Sequence, residues 1–244
     1  MDERIVIIPT YNEIENVEEI TRKVMSLLPS FDCLIVDDNS PDGTSRKVSE
    51  LQNEFPNRLF LLNRKSKSGL GTAYIEGFAW CLQKEYEYIF EMDADFSHNP
   101  DDLIRLHLAC ENGADIAIGS RYITGVNVVN WPMSRVMMSY FASSYVRFIT
   151  GMEIRDSTAG FVCYKKRVLQ TIELDKIKFR GYAFQIEMKF KAWKHGFKIT
   201  EVPIIFTDRT KGESKISKGI IKEAIWGVFA MKLKSLITKF KPAY

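Results

Sequence analysis

An apolar run ends in two carboxylates in the segment Tyr88-Ile89-Phe90-Glu91-Met92-Asp93-Ala94-Asp95. The apolar run predicts a buried strand, and the turn residues at 99–102 predict the start of a helix. Because alternate residues of an extended chain point the same way, Asp93 and Asp95 are expected to project together from the carboxyl end of this strand. Open α/β sheets bind their ligands at that edge.

Two carboxylates in this position suit a divalent cation. Carboxylate oxygens, completed by oxygens of a bound diphosphate, are ligands that Mg2+ or Mn2+ accepts. An exposed acidic turn gives the same short pattern, so the interpretation depends on the other motifs of the chain.

Strand-like and helix-like segments alternate through the first half of the chain. Short apolar runs predict strands at residues 5–8, 34–36, 59–62, 88–92 and 116–119. The segments between them predict helices at about 13–28, from about 43, at 72–84 and at 101–112. Apolar strands separated by amphipathic helices indicate a mostly parallel sheet that is covered on both faces.

The second half is less regular. It predicts an apolar helix at 133–149, a strand near 160–164, a helix at 182–195 and a strand at 199–206. There is no Ser/Gly-rich linker and no internal repeat between the halves. We therefore expect one composite domain whose first half binds a nucleotide.

The length, charge and cysteine content of the chain favour some classes of protein over others. The chain has 244 residues, 45% of them hydrophobic, and a net charge of +3, which is too small to favour a nucleic-acid partner. The distant cysteines at 33, 81, 110 and 163 favour free thiols in a reducing compartment. There is no apolar signal region and no run as long as a membrane span, so a cytosolic protein is expected.

Polar residues follow the first two predicted strands. Tyr11 and Glu13 are placed to contact a base or ribose, although helix capping explains the same residues. Asp38 leaves a buried strand beside Asp37, and a buried charge needs a partner such as a ligand donor. Turn chemistry accounts for the Pro-Asp-Gly sequence that follows.

A glycine-rich segment at 67–73 matches neither the dinucleotide nor the P-loop motif, so it predicts close passage to a ligand or another backbone. Arg121, Arg135 and Arg209 follow strand ends or lie in apolar segments. Arginine grips phosphate through two nitrogens, but a solvated surface charge is the alternative for each.

Ordered motifs extend over nearly the whole chain: Ile8-Pro9-Thr10-Tyr11-Asn12-Glu13, Val36-Asp37-Asp38-Asn39-Ser40-Pro41-Asp42-Gly43-Thr44, Gly69-Leu70-Gly71-Thr72-Ala73, Met92-Asp93-Ala94-Asp95-Phe96-Ser97-His98, Gly119-Ser120-Arg121-Tyr122 and Asp208-Arg209 with Gly212-Glu213-Ser214-Lys215. This set resembles family 2 glycosyltransferases, and more narrowly the dolichol-phosphate (polyprenyl-phosphate) mannose synthases. The resemblance implies a GT-A fold, with a Rossmann-like, mostly parallel sheet flanked by helices. It places a catalytic domain at 1–216, with a nucleotide-sugar-binding half at 1–120 and an acceptor half at 121–216.

The resemblance also implies roles for individual residues. Nucleotide-sugar contacts are implied for Pro9, Tyr11, Glu13, Val36, Asp38, Asp93, Ala94, Arg209 and Lys215. Binding of Mg2+ or Mn2+ is implied for Asp93, Asp95 and Ser97. Binding of the acceptor phosphate is implied for Arg121, Arg135 and Ser139. Catalytic roles are implied for Asp95, Arg121 and Arg209.

The implied reaction is inverting transfer of mannose from GDP-mannose to dolichyl or polyprenyl phosphate at the cytoplasmic face of the cell membrane. A phosphate acceptor is already anionic at neutral pH, so no strong general base is required. One alternative is the same chemistry with UDP-glucose as donor. The other is a catalytically silent nucleotide-sugar-binding or membrane-adaptor protein.

Membrane contact is expected from helices rather than from a span. Apolar residues dominate 133–149, and lysines accompany apolar residues at helical spacing in an amphipathic helix and tail predicted at 217–244. That composition is typical of a helix lying on a membrane surface. Packing of both helices on the domain, a membrane-anchoring partner or a second copy of the chain are the alternatives.

Overall fold

The computed structural model describes residues 3–179, 181–209 and 219–243. Within these ranges the strands are β1 (Arg4–Thr10), β2 (Asp32–Asp37), β3 (Leu59–Asn63), β4 (Tyr88–Glu91), β5 (Ile116–Ser120), β6 (Val128–Val129), β7 (Val162–Lys165), β8 (Ile199–Pro203) and β9 (Phe206–Thr207). The helices are α1 (Val17–Met25), α2 (Thr44–Leu51), α3 (Leu70–Leu82), α4 (Asp102–Glu111), α5 (Met133–Thr150), α6 (Lys166–Thr171), α7 (Tyr182–His195) and α8 (Gly219–Ile237), with a 3-10 turn at Leu174–Lys176.

A seven-stranded sheet forms the centre of the fold, in the order β3-β2-β1-β4-β7-β5-β8. Only β7 runs antiparallel to its neighbours β4 and β5; the other described pairs of this sheet are parallel. Strands β6 and β9 form a separate parallel pair. The predicted mostly parallel sheet flanked by helices is confirmed.

The predicted strand at 199–206 is divided between the two sheets. Strand β8 ends at Pro203, whose backbone has no N–H to continue a ladder. The next amide, of Ile204, donates to the carbonyl of Ser120, and the amide of Phe206 donates to the carbonyl of Asn127. The chain thereby crosses from the central sheet to β9, which brings residues 206–209 over the end of β4 and β5.

Both faces of the sheet are buried, as the apolar strands predict. In β1, Ile5 and Ile7 belong to the core that contains α3, α6 and α7, whereas Val6 and Ile8 belong to the core that contains α1, α2 and α4. This alternation follows from the two-residue period of a strand. The helices therefore hold the carboxyl ends of the central strands in fixed positions.

The glycine-rich segment passes close to a side chain rather than to a backbone. A Cβ on Gly71 would lie 2.8 Å from Cγ of Phe184, so helix α3 approaches α7 only because this position is glycine. The Phe184 ring then stacks on Tyr74 at 6.0 Å between centroids, with an interplanar angle of 6°. These contacts fix the side of α3 that faces α7.

Helices α5 and α8 lie against each other at one end of the fold, where Lys232 Nζ donates to the carbonyl of Thr150 at 2.9 Å. Among its described side chains, α8 buries Val228 and exposes Trp226 and Leu236. Apolar side chains thus occupy both its packed and its exposed sides. No helix in the described ranges is long and apolar enough to cross a bilayer.

Candidate active site

A cavity of about 950 Å3 opens at the carboxyl ends of the central strands. Residues that follow β1, β2, β4 and β5 form its polar end, and side chains of α5, α7 and α8 form the other. The position is the sheet edge where open α/β folds bind ligands. The paired carboxylates after β4 lie in it, as their spacing predicts.

Asp95 is held by two groups on either side of its carboxylate. The Ser97 amide donates to Oδ1 at 3.0 Å, and Arg209 Nη2 lies 2.8 Å from Oδ2. Burial and the neighbouring Asp95 charge raise the pKa of Asp93 to about 7. Two carboxylates that repel each other in a recess favour a cation between them.

His98 follows the carboxylates but is buried in a stack of rings. Its ring lies 4.8 Å from the ring of Phe161 and 5.3 Å from that of Phe206. Burial lowers its pKa to about 4, so the ring is neutral and Nδ1 accepts from the Asp93 amide at 3.4 Å. His98 therefore supports the loop that carries the carboxylates.

The loop after β1 is positioned by the loop after β2. The amides of Asn12 and Glu13 donate to the hydroxyls of Ser40 and Thr44, at 2.9 and 3.1 Å. Asp37 is fully buried and accepts from the hydroxyls of Thr10 and Ser40. The partner that the buried charge of Asp37 requires is thus supplied within the protein, and the turn residues hold Tyr11 and Glu13 at the cavity.

The other strand-end acid, Asp38, pairs with a cation that the sequence did not single out. Arg64 donates to Asp38, to Thr72 Oγ1 at 2.7 Å and to Glu76 at 3.1 Å. Burial raises the pKa of Asp38, and Arg64 opposes that shift. Nearby, Lys67 Nζ lies 4.1 Å from the centre of the Tyr11 ring, so a lysine also lines this end.

Arg121 forms an ion pair with the buried Asp156. Its Nε and Nη2 donate to the two carboxylate oxygens of Asp156 at 2.7 and 2.6 Å, and Nη2 also donates to Thr158 at 2.9 Å. Burial alone would raise the pKa of Asp156, but the Arg121 charge holds it below its usual value. The guanidinium is therefore fixed in direction at the cavity wall.

Arg135 lies on α5, one turn from the predicted Ser139. It pairs with Asp208 at 2.9 Å and stacks 4.1 Å over the Trp131 ring. Together with Arg121 and Arg209 it gives the cavity three arginines. Guanidinium groups so placed are suited to phosphate oxygens.

The remaining wall of the cavity is apolar. It is made by side chains of α5, α7 and α8: Met138, Phe141, Ala142, Tyr145, Val146, Ile186 and Val228. The cavity thus joins a charged end, which is suited to phosphates, to an end suited to a hydrocarbon chain.

Most residues with predicted site roles meet in this one cavity. They are Pro9, Tyr11, Glu13, Asp38, Asp93, Ala94, Asp95, Ser97, Arg121, Arg135, Ser139 and Arg209. Val36 does not, because its side chain is fully buried in the core between α3 and the sheet. Any contact from Val36 to a nucleoside would have to use its backbone. Lys215 lies outside the described residues.

Sequence reasoning missed the acids and cations that support these residues. Arg64 and Asp156 are separated from their partners by 26 and 35 positions, and no local pattern marks them. Both lie among other polar residues, so nothing in the surrounding sequence distinguishes them from surface charges. Tyr74 and Gln185 also line the cavity. The helical spacing of Tyr74 is typical of a core position, and Gln185 lies in the motif at 181–188, which adds to the family resemblance without implying a role for this residue.

Comparison with known proteins places the chain among glycosyltransferases. Residues 5–173 match the family model described as Glycosyl transferase family 2. The chain is 46% identical over 229 residues to a polyprenol monophosphomannose synthase of Mycolicibacterium smegmatis, covering 92% of this chain and 86% of that protein. It is 45% identical over 231 residues to an undecaprenyl-phosphate mannosyltransferase of Micrococcus luteus, covering 93% and 94%.

Solved structures share the fold at low sequence identity. Glucosyl-3-phosphoglycerate synthase from Mycobacterium tuberculosis, in complex with Mn2+, UDP-glucose and phosphoglyceric acid, superposes with a TM-score of 0.67 at 13% identity. That alignment covers 96% of this chain and 80% of the other. At such identity the likeness supports the architecture of the domain and nothing finer.

Proposed function

Because this chain belongs to glycosyl transferase family 2, we propose that it transfers mannose from GDP-mannose to a polyprenyl phosphate such as dolichyl phosphate, with inversion at the anomeric carbon. The observation that carries the proposal is the single cavity that joins the carboxylates of β4, three arginines and an apolar wall. The names of the relatives with 45–46% identity support mannose as the sugar and a prenyl phosphate as the acceptor.

Both halves of the chain contribute to this cavity. Residues after β1, β2 and β4, with Arg209 from the second half, supply the proposed nucleotide-sugar contacts. Arg121 after β5 and Arg135 and Ser139 on α5 supply the proposed acceptor contacts. We therefore propose that the two halves, divided between residues 120 and 121, differ in function but form one catalytic domain. Strand β5 of the first half and strands β7 and β8 of the second half lie in the same sheet.

The residues present fit a divalent metal at the carboxylates. Asp93 and Asp95 offer hard oxygen ligands, and the buried Ser97 Oγ has no hydrogen-bond partner in the part of the chain that is described. Within the same ranges, no three His, Cys, Asp or Glu side chains converge on one point. We therefore expect the diphosphate of the donor to complete the coordination of Mg2+ or Mn2+, which supplies Lewis-acid stabilisation of the departing charge.

The reaction requires little from the protein besides positioning and charge. An oxygen of the acceptor phosphate attacks the anomeric carbon, and the bond from that carbon to the donor diphosphate breaks with its electron pair leaving on the diphosphate. Arg121 and Arg135 would hold the attacking phosphate, and Arg209 would face the leaving one. The neutral, stacked His98 fits a reaction that needs no base, because the acceptor is already an anion.

Tyr11, Asp38 and Lys67 surround the proposed nucleoside end, but none of these contacts separates guanine from uracil. UDP-glucose is therefore the competing donor, and a silent nucleotide-sugar-binding protein is the competing class.

Incubation of the purified protein with polyprenyl phosphate and labelled GDP-mannose is expected to yield mannosyl lipid. The product should require Mg2+ or Mn2+ and disappear with EDTA. The control is UDP-glucose under the same conditions. Glucosyl lipid alone would keep the mechanism and replace the donor. Tight nucleotide binding without lipid product from either donor would contradict transfer to polyprenyl phosphate.

The acceptor's location suggests how the protein meets its substrate. Helices α5 and α8 expose apolar side chains that the domain does not cover, including Phe148, which is 87% exposed, and Ile237, which is 86% exposed. Lys234, Lys239 and Lys241 are exposed at the same end of α8. We propose that these helices rest on the cytoplasmic face of the membrane, where apolar contact and attraction of lysines to anionic lipid act together.

The double variant Phe148→Ser with Ile237→Ser is expected to bind vesicles of phosphatidylglycerol and phosphatidylcholine about tenfold more weakly, because two exposed apolar side chains no longer enter the lipid. Cosedimentation measures this. The matched control is Leu108→Ser, which changes an exposed residue of α4 on the opposite face of the sheet. Unchanged binding, or an equal loss in the control, would contradict the membrane proposal.

A further inference from the structure

The hydroxyl of Tyr74 is a buried polar group without an evident structural role. The side chain is 0% exposed, it lines the cavity, and its hydroxyl has no hydrogen-bond partner among the described residues. A buried hydroxyl left without a partner is destabilising, so such groups usually have a ligand or a structural bond. Packing alone would be served equally well by phenylalanine.

The ring that carries this hydroxyl is held rigidly. It lies parallel to Phe184 on α7 and also stacks on Phe78, at 6.0 and 6.2 Å between centroids. Glycine at position 71 is what lets Phe184 approach. The ring is therefore held at a fixed place in the cavity wall.

Tyr74 lines the same cavity as Asp93, where the donor diphosphate is proposed to bind. Burial raises the pKa of its hydroxyl well above the usual value, and the charges of Asp93 and then Glu91 raise it further. Tyr11 and Asp38 lie at the nucleoside end, whereas Tyr74 lines the wall shared with α7. In a sugar nucleotide the sugar is bonded directly to the diphosphate. If the diphosphate binds at Asp93, the sugar must therefore lie in the adjoining part of the cavity.

A second polar group on the same wall is oriented by buried charges. Gln185 Nε2 donates to Glu91 Oε2 at 2.8 Å, and Gln185 Oε1 accepts from Lys189 Nζ at 3.2 Å. Because Lys189 can only donate, the direction of the amide is fixed. One amide hydrogen and one lone pair remain beyond these two bonds, which suits a ligand that both donates and accepts.

We propose that Tyr74, with Gln185 beside it, forms the subsite that binds hydroxyl groups of the transferred sugar. The inference rests on the proposed function for the identity of the ligand as a nucleotide-linked hexose. A hexose hydroxyl both donates and accepts hydrogen bonds, so it satisfies a phenol and a fixed amide at once. The subsite gives the enzyme a means to recognise the sugar separately from the nucleotide.

Tyr74→Phe removes only the hydroxyl and keeps the stacked ring. The matched control is Tyr164→Phe, since Tyr164 on β7 is also fully buried and its hydroxyl also lacks a partner in the described ranges, yet it does not line the cavity. Calorimetry with Mn2+ compares GDP with GDP-mannose as ligands of the full chain, or UDP with UDP-glucose if glucose is the sugar transferred.

We expect Tyr74→Phe to weaken binding of the sugar nucleotide by about three- to tenfold, the effect of one hydrogen bond, and to leave binding of the nucleoside diphosphate unchanged. Tyr164→Phe should change neither. Equal losses for both ligands, equal losses in both variants, or no loss with Tyr74→Phe would each overturn the inference. Wild-type protein that binds the donors but transfers no sugar would instead overturn the proposed function.

Donor analogues that lack one sugar hydroxyl at a time provide a second measurement. The analogue missing the hydroxyl that Tyr74 binds should lose affinity for wild-type protein but little further affinity for Tyr74→Phe, because the two changes remove the same bond. Additive losses across the whole series would overturn the assignment.

Discussion

Replacing Asp95 with Asn is expected to lower the rate of sugar transfer by about a thousandfold, since loss of metal-assisted stabilisation of the leaving diphosphate costs about 4 kcal/mol of transition-state energy. Asp95 is 7% exposed, and its carboxylate already faces Arg209 on one oxygen and the Ser97 amide on the other. An amide keeps the shape of the side chain but offers neither the charge nor the second oxygen ligand. The fold should therefore survive the change.

The measurement is the initial rate of lipid-linked sugar formation at saturating Mn2+, with thermal unfolding recorded for each variant. Asp101→Asn is the matched control, because it alters an acid on the following turn that is exposed and pairs with Lys23. It should retain transfer within about twofold, as expected for a surface pair. A rate for Asp95→Asn within tenfold of the wild-type rate would exclude Asp95 as a metal ligand.

The parts of this molecule that could be predicted from sequence are those that depend on local pattern. Apolar runs such as 5–8 and 34–36 gave their strands correctly because a strand buried on both faces is apolar at every position. The spacing of Asp93 and Asp95 correctly placed both in the cavity, since the end of a parallel strand is also an edge of the sheet.

The parts that could not be predicted depend on the order of strands. Strand β7 enters the sheet antiparallel between β4 and β5, and this insertion brings Asp156 to Arg121. No periodicity in the sequence specifies that insertion. The pairing of Asp38 with Arg64 likewise requires that β3 lie beside β2, which an alternating pattern permits but does not fix.

The direction in which a side chain points could not be predicted either, as Val36 and Tyr74 show. Motif position implied that Val36 contacts the nucleoside, yet the side chain alternates into the core under α3. Tyr74 has the spacing of a core residue of α3, yet it reaches the cavity wall. In both cases the deciding quantity is the direction of one side chain, which depends on how α3 packs on the sheet.

Asp156→Ala is expected to destabilise the fold by about 3–5 kcal/mol, because removing one partner of a buried ion pair leaves the other charge desolvated. Arg121 is 7% exposed and Asp156 is 0% exposed, and they share two charge-assisted hydrogen bonds. Urea unfolding measures the loss. The matched control is Asp208→Ala, which removes the ion pair of Arg135, where the side chains are 26% and 30% exposed. That pair should contribute at most about 1 kcal/mol.

A double variant separates stability from catalysis at this pair. Arg121→Met with Asp156→Leu removes both charges, so it should recover much of the stability that Asp156→Ala loses, as apolar replacements of buried ion pairs often do. It should nevertheless transfer no measurable sugar, because the acceptor phosphate has lost a fixed guanidinium in the cavity wall. Recovery of transfer together with stability would show that Arg121 serves the fold alone, and the acceptor phosphate would then depend on Arg135 and Ser139.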